Sequence, residues 1–175
     1  MNKHQALGSL IFLSMLFSSL NIFGMDDSQI GLEPGKKLAT FKLPSLEGKE
    51  IALQDFMGRI VIIHLWKCQW NQCRAEIPHL LNIKKEYDPQ KVVILSINVL
   101  NQKGQIEAEV KKYNMDYTIL LGRGFELTSL YKIKKLPHLI ILDQKGIIQS
   151  SERFLRTEEI KQVLNRLLVH KKRED

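Results

Sequence analysis

Three apolar runs constrain this chain more than anything else in it. RIVIIHLW (59–66), KVVILSIN (91–98) and LPHLIILD (136–143) are short, rich in β-branched residues and almost free of charge. Runs of this length without polar alternation read as strands buried on both faces. Between the first two, Cys73, Ile77, Leu80 and Leu81 recur at i, i+4, i+7 and i+8, which predicts a helix over about 71–87. Asn71 is its candidate N-cap. Further on, Ile106, Val110 and Tyr113 mark a connecting helix, 117–121 is a short apolar run, and 125–133 reads as helical. The turn at 143–146 folds the third strand back into Ile147 and Ile148. A last helix starts at Thr157, with Glu158 and Glu159 suited to its N-terminal dipole. Its apolar stripe is Ile160, Val163, Leu164, Leu167 and Leu168. Ahead of the first run, Glu47-Gly48 is a turn and 50–53 alternates like a short strand. Crossover helices between buried strands imply a parallel core, and the 143–146 turn adds an antiparallel hairpin. The expected class is α/β, with a mixed central sheet, helices on both faces and an N-terminal β extension.

At 175 residues the chain suits one domain, and 44% hydrophobic with 26% charged residues excludes a disordered polymer. Lys3 and His4 precede a charge-free apolar run over 7–23, and Asp26 and Asp27 follow. That is the layout of a secretory signal peptide. The organisation read from the sequence is a signal peptide over 1–24, a linker over 25–33, a domain over 34–169 and a charged tail over 170–175. The apolar run is also about the lower length limit of a membrane span, so an uncleaved anchor is the alternative. No cysteine stands at the junction, which argues against a lipoprotein. In a bacterium, either reading exports the domain to the periplasm or the outer membrane face, where disulfides persist. The formal charge is +7, and loss of residues 1–24 leaves +6. The one dense basic run, His170 to Arg173, has no interleaved aromatic residues, so no nucleic-acid partner is expected. A monomer is expected.

The only two cysteines fall in WKCQWNQCRAEIP (66–78), with four residues between Cys68 and Cys73. Cys73 lies on the apolar face of its helix. It reads either as an inert buried thiol or as half of a pair with Cys68. A disulfide needs Cα atoms within about 7 Å, which a strand-to-helix turn allows. Glu76 shares the Cys73 helix face, and one reading of it is a first-turn acid serving the dipole. His64, inside the first strand, reads as a core histidine, and His79 as a helix-surface residue. Trp66 and Trp70 read as packing side chains, with Trp70 also suited to cap the site. No phosphate-cradling glycine loop and no Ser/His/Asp set is present.

Several motifs in order resemble exported thioredoxin-fold proteins of the TlpA/ResA type, within the wider thioredoxin and alkyl-hydroperoxide-reductase superfamily. Their site reads F-W-A-x-W-C-x-x-C-[RK]-x-E-x-P, onto which Trp66 and Cys73-Arg74-Ala75-Glu76-Ile77-Pro78 align without a gap. LEGKEIALQDFMGR resembles the family's lead-in hairpin, ILSINV its V-x-V-N-V strand, and YKIKKLPHLIILDQKGII its Y-x-V-x-x-x-P-x-x-F-L-I-D-x-x-G-x-I segment. The likeness spans roughly residues 34–168. It implies a thioredoxin fold, with Pro137 as the cis-proline facing the site and protein thiols or disulfides as partners, without a cofactor. In the family the first cysteine attacks a substrate disulfide and the second resolves the mixed disulfide.

This chain departs from that pattern at the attacking position, which holds Trp70. Cys73 takes the resolving position, and Cys68 lies two residues ahead of the missing nucleophile. Leu136 precedes the proline where many members carry a small or β-branched residue. The resemblance implies a site of Cys68 (exposed and attacking), Cys73 (resolving), Glu76 (proton transfer) and Pro137, with Trp66, Trp70 and Leu136 meeting substrate. Two alternatives stand beside it. One is a redox-inactive binding or scaffold protein on the same fold. The other is copper binding by Cys68, Cys73 and His138, the logic of SCO-type proteins, although those use C-x-x-x-C. A peroxidase lacks support, because P-x-x-x-[ST]-x-x-C does not precede Cys68.

Overall fold

A computed structural model describes residues 32–122, 124 and 126–174, with side chains described to residue 169. The expected signal segment and most of the linker lie outside the described residues, as do the side chains of the basic tail. No helix among the described residues is long and apolar enough to cross a membrane.

The three apolar runs are the centre of the fold. The first becomes β3 (Ile60–Trp66), the second β4 (Val92–Asn98) and the third β6 (His138–Leu142). With β5 (Thr118–Leu121) and β7 (Ile148–Glu152) they form one sheet in the order β5-β4-β3-β6-β7. β3, β4 and β5 are parallel, while β6 is antiparallel to both β3 and β7. All seven residues of β3 are buried, as expected of a strand covered on both faces. Each such aliphatic side chain contributes roughly 1.5–3 kcal/mol by leaving water. An N-terminal ribbon of β1 (Lys42–Pro44) and β2 (Glu50–Ala52) is antiparallel. Leu46 N–H donates to the Ile119 carbonyl, which ties this ribbon to β5.

Period-two alternation divides β3 between two cores. Ile60 and Ile62 face one side with Leu80 and Ile83 of α1 (Asn71–Glu86) and Ile160, Leu164 and Leu167 of α4 (Thr157–Glu174). Val61, Ile63 and Leu65 face the other, with Ile106 of α2 (Lys103–Tyr113), Leu127 of α3 (Glu126–Leu130) and both cysteines. The mixed sheet with helices on both faces and the N-terminal β extension are therefore as expected.

Local boundaries differ in instructive ways. Trp70, not Asn71, is the N-cap of α1, and no side chain caps that end. α3 covers only five residues of the expected 125–133 helix, and residue 125 is not among the described ones. The backbone of α4 continues through the expected tail to Glu174.

Candidate active site

The C-terminal ends of β3 and β4 lie side by side, with Trp66 opposite Asn98 in register and Val99 N–H donating to the Trp66 carbonyl. This edge of a parallel sheet is where connecting loops converge on ligands. Gln69 turns the chain there with φ +65, a left-handed conformation seldom taken by a residue with a Cβ. Cys68 falls on the inner side of that turn and Trp70 on the outer, at 4% and 44% exposure.

Cys68 is thus buried rather than exposed, which corrects the expectation of an open attacking thiol. Two asparagines of the β4–α2 region hold it. Asn98 Nδ2 donates to Cys68 Sγ at 3.5 Å, and Cys68 N–H donates to Asn101 Oδ1 at 2.8 Å. Asn98 is itself fixed, its Oδ1 accepting from the N–H groups of Leu100 and Asn101. Burial pushes the Cys68 thiol up to about 11, helped by the nearby Glu109 charge and opposed by the Asn98 donor and Arg74.

Cys73 is fully buried in the first turn of α1, and burial raises its thiol as well. The Lys67 backbone opposes that rise. Cys68 and Cys73 lie in the same buried cluster. Both thiols are free in this structure.

Glu76 is buried and is not a first-turn acid serving the dipole. Its Oε1 accepts from Leu155 N–H at 3.1 Å, and its Oε2 lies 3.3 Å from His64 Nε2 without hydrogen-bond alignment. His64 Nδ1 lies 3.1 Å from Ser96 Oγ. The Leu136–Pro137 peptide bond is cis, and Pro137 faces Gln72 and Ala75 across a groove completed by Glu152, Arg153 and Phe154.

The residues expected to meet substrate separate into two kinds. Trp66 is sealed, its ring stacked on His64 at 6.1 Å, and Leu136 is only 9% exposed. Trp66 packs because β3 carries it beneath the helix, so it offers nothing to a substrate. Trp70 remains available, with Lys67 Nζ 3.2 Å from its ring centroid, a cation–π contact. His138 is turned toward β7, its Nε2 2.9 Å from Ser151 Oγ. Among the described residues no three His, Cys, Asp or Glu side chains gather as a metal site, so Cys68, Cys73 and His138 do not form the copper set.

Sequence reasoning missed Asn98, Asn101 and the Arg74–Glu109 pair. One signal was available. Adjacent parallel strands end together, so the residues after KVVILSIN had to meet those after RIVIIHLW.

Residues 34–151 match the AhpC/TSA family model. The chain belongs to that family. Among curated AhpC/TSA-like relatives, it is similar to the thioredoxin-like protein YneN of Bacillus subtilis, 26% identical over 153 residues, covering 85% of this chain and 89% of the relative. It is also similar to the thiol-disulfide oxidoreductase ResA of Bacillus cereus, 25% identical over 171 residues, covering 95% and 99%. Among solved structures, a thiol:disulfide interchange protein DsbE from Chlorobium tepidum superposes with a TM-score of 0.72 at 20% identity, covering 78% of this chain and 99% of that one. The thioredoxin domain of a Bacteroides vulgatus oxidoreductase gives 0.71 at 21%, covering 77% and 97%. The fold is a thioredoxin fold.

Proposed function

We propose that the protein exchanges disulfides with exported protein substrates through the Cys68–Cys73 couple. The observation that carries this reading is the placement of both thiols, Cys68 in the turn after β3 and Cys73 in the first turn of α1, in one buried cluster. Cys68 thiolate attacks a substrate disulfide and releases one substrate thiolate. Cys73 thiolate then attacks the Cys68 sulfur, closing the Cys68–Cys73 disulfide and releasing the other. Two electrons pass to the substrate, and the two protons lost by the cysteines are balanced by the two its thiolates take up. Thiols raised by burial favour the disulfide form, so the couple is read as a reductant. With a thiol near 11, only about one Cys68 in ten thousand is ionised at neutral pH, so the closed form is a resting state. Exchange requires Cys68 to turn outward about Gln69, leaving Asn98 and Asn101. The apolar run over 7–23 supports export, by a cleaved signal or as a tether.

A second reading has its own observation. Trp70 occupies the exposed position at the start of α1 where the resemblance puts a nucleophile, and this favours a binding protein without redox chemistry. Thiol alkylation read by mass, before and after reductant, separates the two. A 2 Da difference with both thiols protected under oxidising conditions supports the couple. Two thiols that stay free, together with full function of the Cys68→Ser, Cys73→Ser double variant, support the binding module.

A further inference from the structure

Beneath α1 lies a chain of three polar side chains, each fully buried: Ser96, His64 and Glu76. The order serine, histidine, carboxylate is that of a hydrolase triad, but no substrate reaches a sealed serine. The arrangement needs another explanation, because a carboxylate buried without a counter-charge is costly. Two groups meet Glu76 directly, His64 from β3 and the Leu155 N–H ahead of α4, and its charge also reaches Cys73 on its own helix, His138 at the start of β6 and Tyr117 just before β5. Tyr117 brings a hydroxyl without a hydrogen-bond partner, and His138 is engaged with Ser151. Among the described residues, the ion pair Glu76 makes is with His64. Around His64, Ser96 from β4 takes Nδ1, Trp66 stacks on the ring, and β6 presents Leu139 in register.

We propose that His64 is a positioning residue that carries the counter-charge for Glu76, so that a carboxylate is held inside the protein three residues from Cys73. With both ring nitrogens protonated, Nδ1–H donates to Ser96 Oγ, and the charge at Nε2 lies 3.3 Å from the carboxylate as an ion pair without a hydrogen bond. Ser96 thereby fixes the ring plane, and Leu155 N–H fixes the other carboxylate oxygen. The purpose of this device rests on the dithiol reading. The Glu76 charge opposes ionisation of the Cys73 thiol, and a counter-charge on His64 offsets it. When the site opens, Cys73 gives its proton to solvent, its thiolate bonds Cys68 Sγ, and the substrate thiolate leaves and takes a proton from solvent.

The test reads the pair itself. In the wild-type chain at neutral pH, nitrogen-15 NMR is expected to show His64 protonated on both nitrogens, and infrared spectroscopy to show no buried protonated carboxyl group. In His64→Gln a protonated carboxyl band is expected to appear, and to vanish in His64→Gln, Glu76→Gln. Denaturant unfolding is expected to find the double variant more stable than Glu76→Gln alone, which strands the imidazolium. A neutral His64 ring in the wild type overturns the proposal, and that measurement needs no variant to fold. So does a protonated carboxyl band that is the same with and without His64. An inactive Cys68–Cys73 couple would remove the purpose of the pair and leave these spectra unchanged.

Discussion

Arg74 and Glu109 join the first turn of α1 to the far helix α2 by two hydrogen bonds, Nε to Oε2 at 3.0 Å and Nη2 to Oε1. The carboxylate of this pair is largely buried, at 9% side-chain exposure, while Arg74 keeps an outer edge in solvent. Both charges act on Cys68. Burial is the main reason its thiol is high, Glu109 adds to the rise, and Arg74 opposes it. Glu109→Gln removes the anion and frees Arg74 to favour the thiolate. In a Cys73→Ser background, the pH midpoint of Cys68 alkylation is expected to fall below the value of about 11. A midpoint that stays or rises would dissociate the bridge from the thiol.

Gly122 lies where no side chain fits. A Cβ there would stand 2.7 Å from the Asn98 carbonyl oxygen and 3.0 Å from Val99 Cα, both backbone atoms that cannot give way cheaply. Asn98 is also the residue that donates to Cys68 Sγ. Gly122→Ala is expected to cost about 1–3 kcal/mol in denaturant unfolding, the usual range for overpacking. It should also speed Cys68 alkylation under native conditions, because the end of β4 must shift.

Trp70→Cys restores a thiol at the exposed N-cap of α1, three positions before Cys73 and beside the positive end of the helix. This variant is expected to form a 70–73 disulfide in air and to gain activity in an insulin-reduction assay relative to the parent chain. An unchanged assay would show that the rest of the groove no longer accepts a protein disulfide.

His138 is half-buried, and burial lowers its basicity below the ordinary histidine value of 6.5, with the Glu76 charge opposing the shift. The unfolded chain therefore binds a proton at this residue more readily than the folded one. Stability present above about pH 6.5 is lost as pH falls below it, until the folded-state histidine also protonates. His138→Gln preserves a side chain able to meet Ser151 and is expected to flatten this acid-side loss. Melting temperatures between pH 7 and pH 5 check it: the slope should be shallower in the variant.

The sheet was legible because its strands announce themselves. β3, β4 and β6 are apolar throughout, and Asp143 marks the β6–β7 hairpin by accepting from the N–H groups of Lys145 and Ile147. The position of Cys73 and the burial of Ile160 and Leu164 followed from helical spacing. The state of Cys68 did not, because it depends on one positive φ at Gln69 and on two asparagines some thirty residues away. His64 and Glu76 each drew notice separately. Their meeting follows from parity: His64 shares the face of Ile60 and Ile62, and that is the face α1 covers. The N-cap assignment failed for a simpler reason. Asn71 has the right side chain, but the chain is still extended at Trp70 and already helical one residue later.

The two tryptophans stand two residues to either side of Cys68, one fully sealed and the other wet beneath an ammonium group. The molecule therefore carries its own optical gauge. Trp66 should emit at short wavelength and resist iodide, while Trp70 should emit further to the red and be quenched. A swing of the Cys68 loop would alter the second signal and leave the first nearly constant. The opening of this thiol site can thus be followed in the native chain, without a label attached to either cysteine.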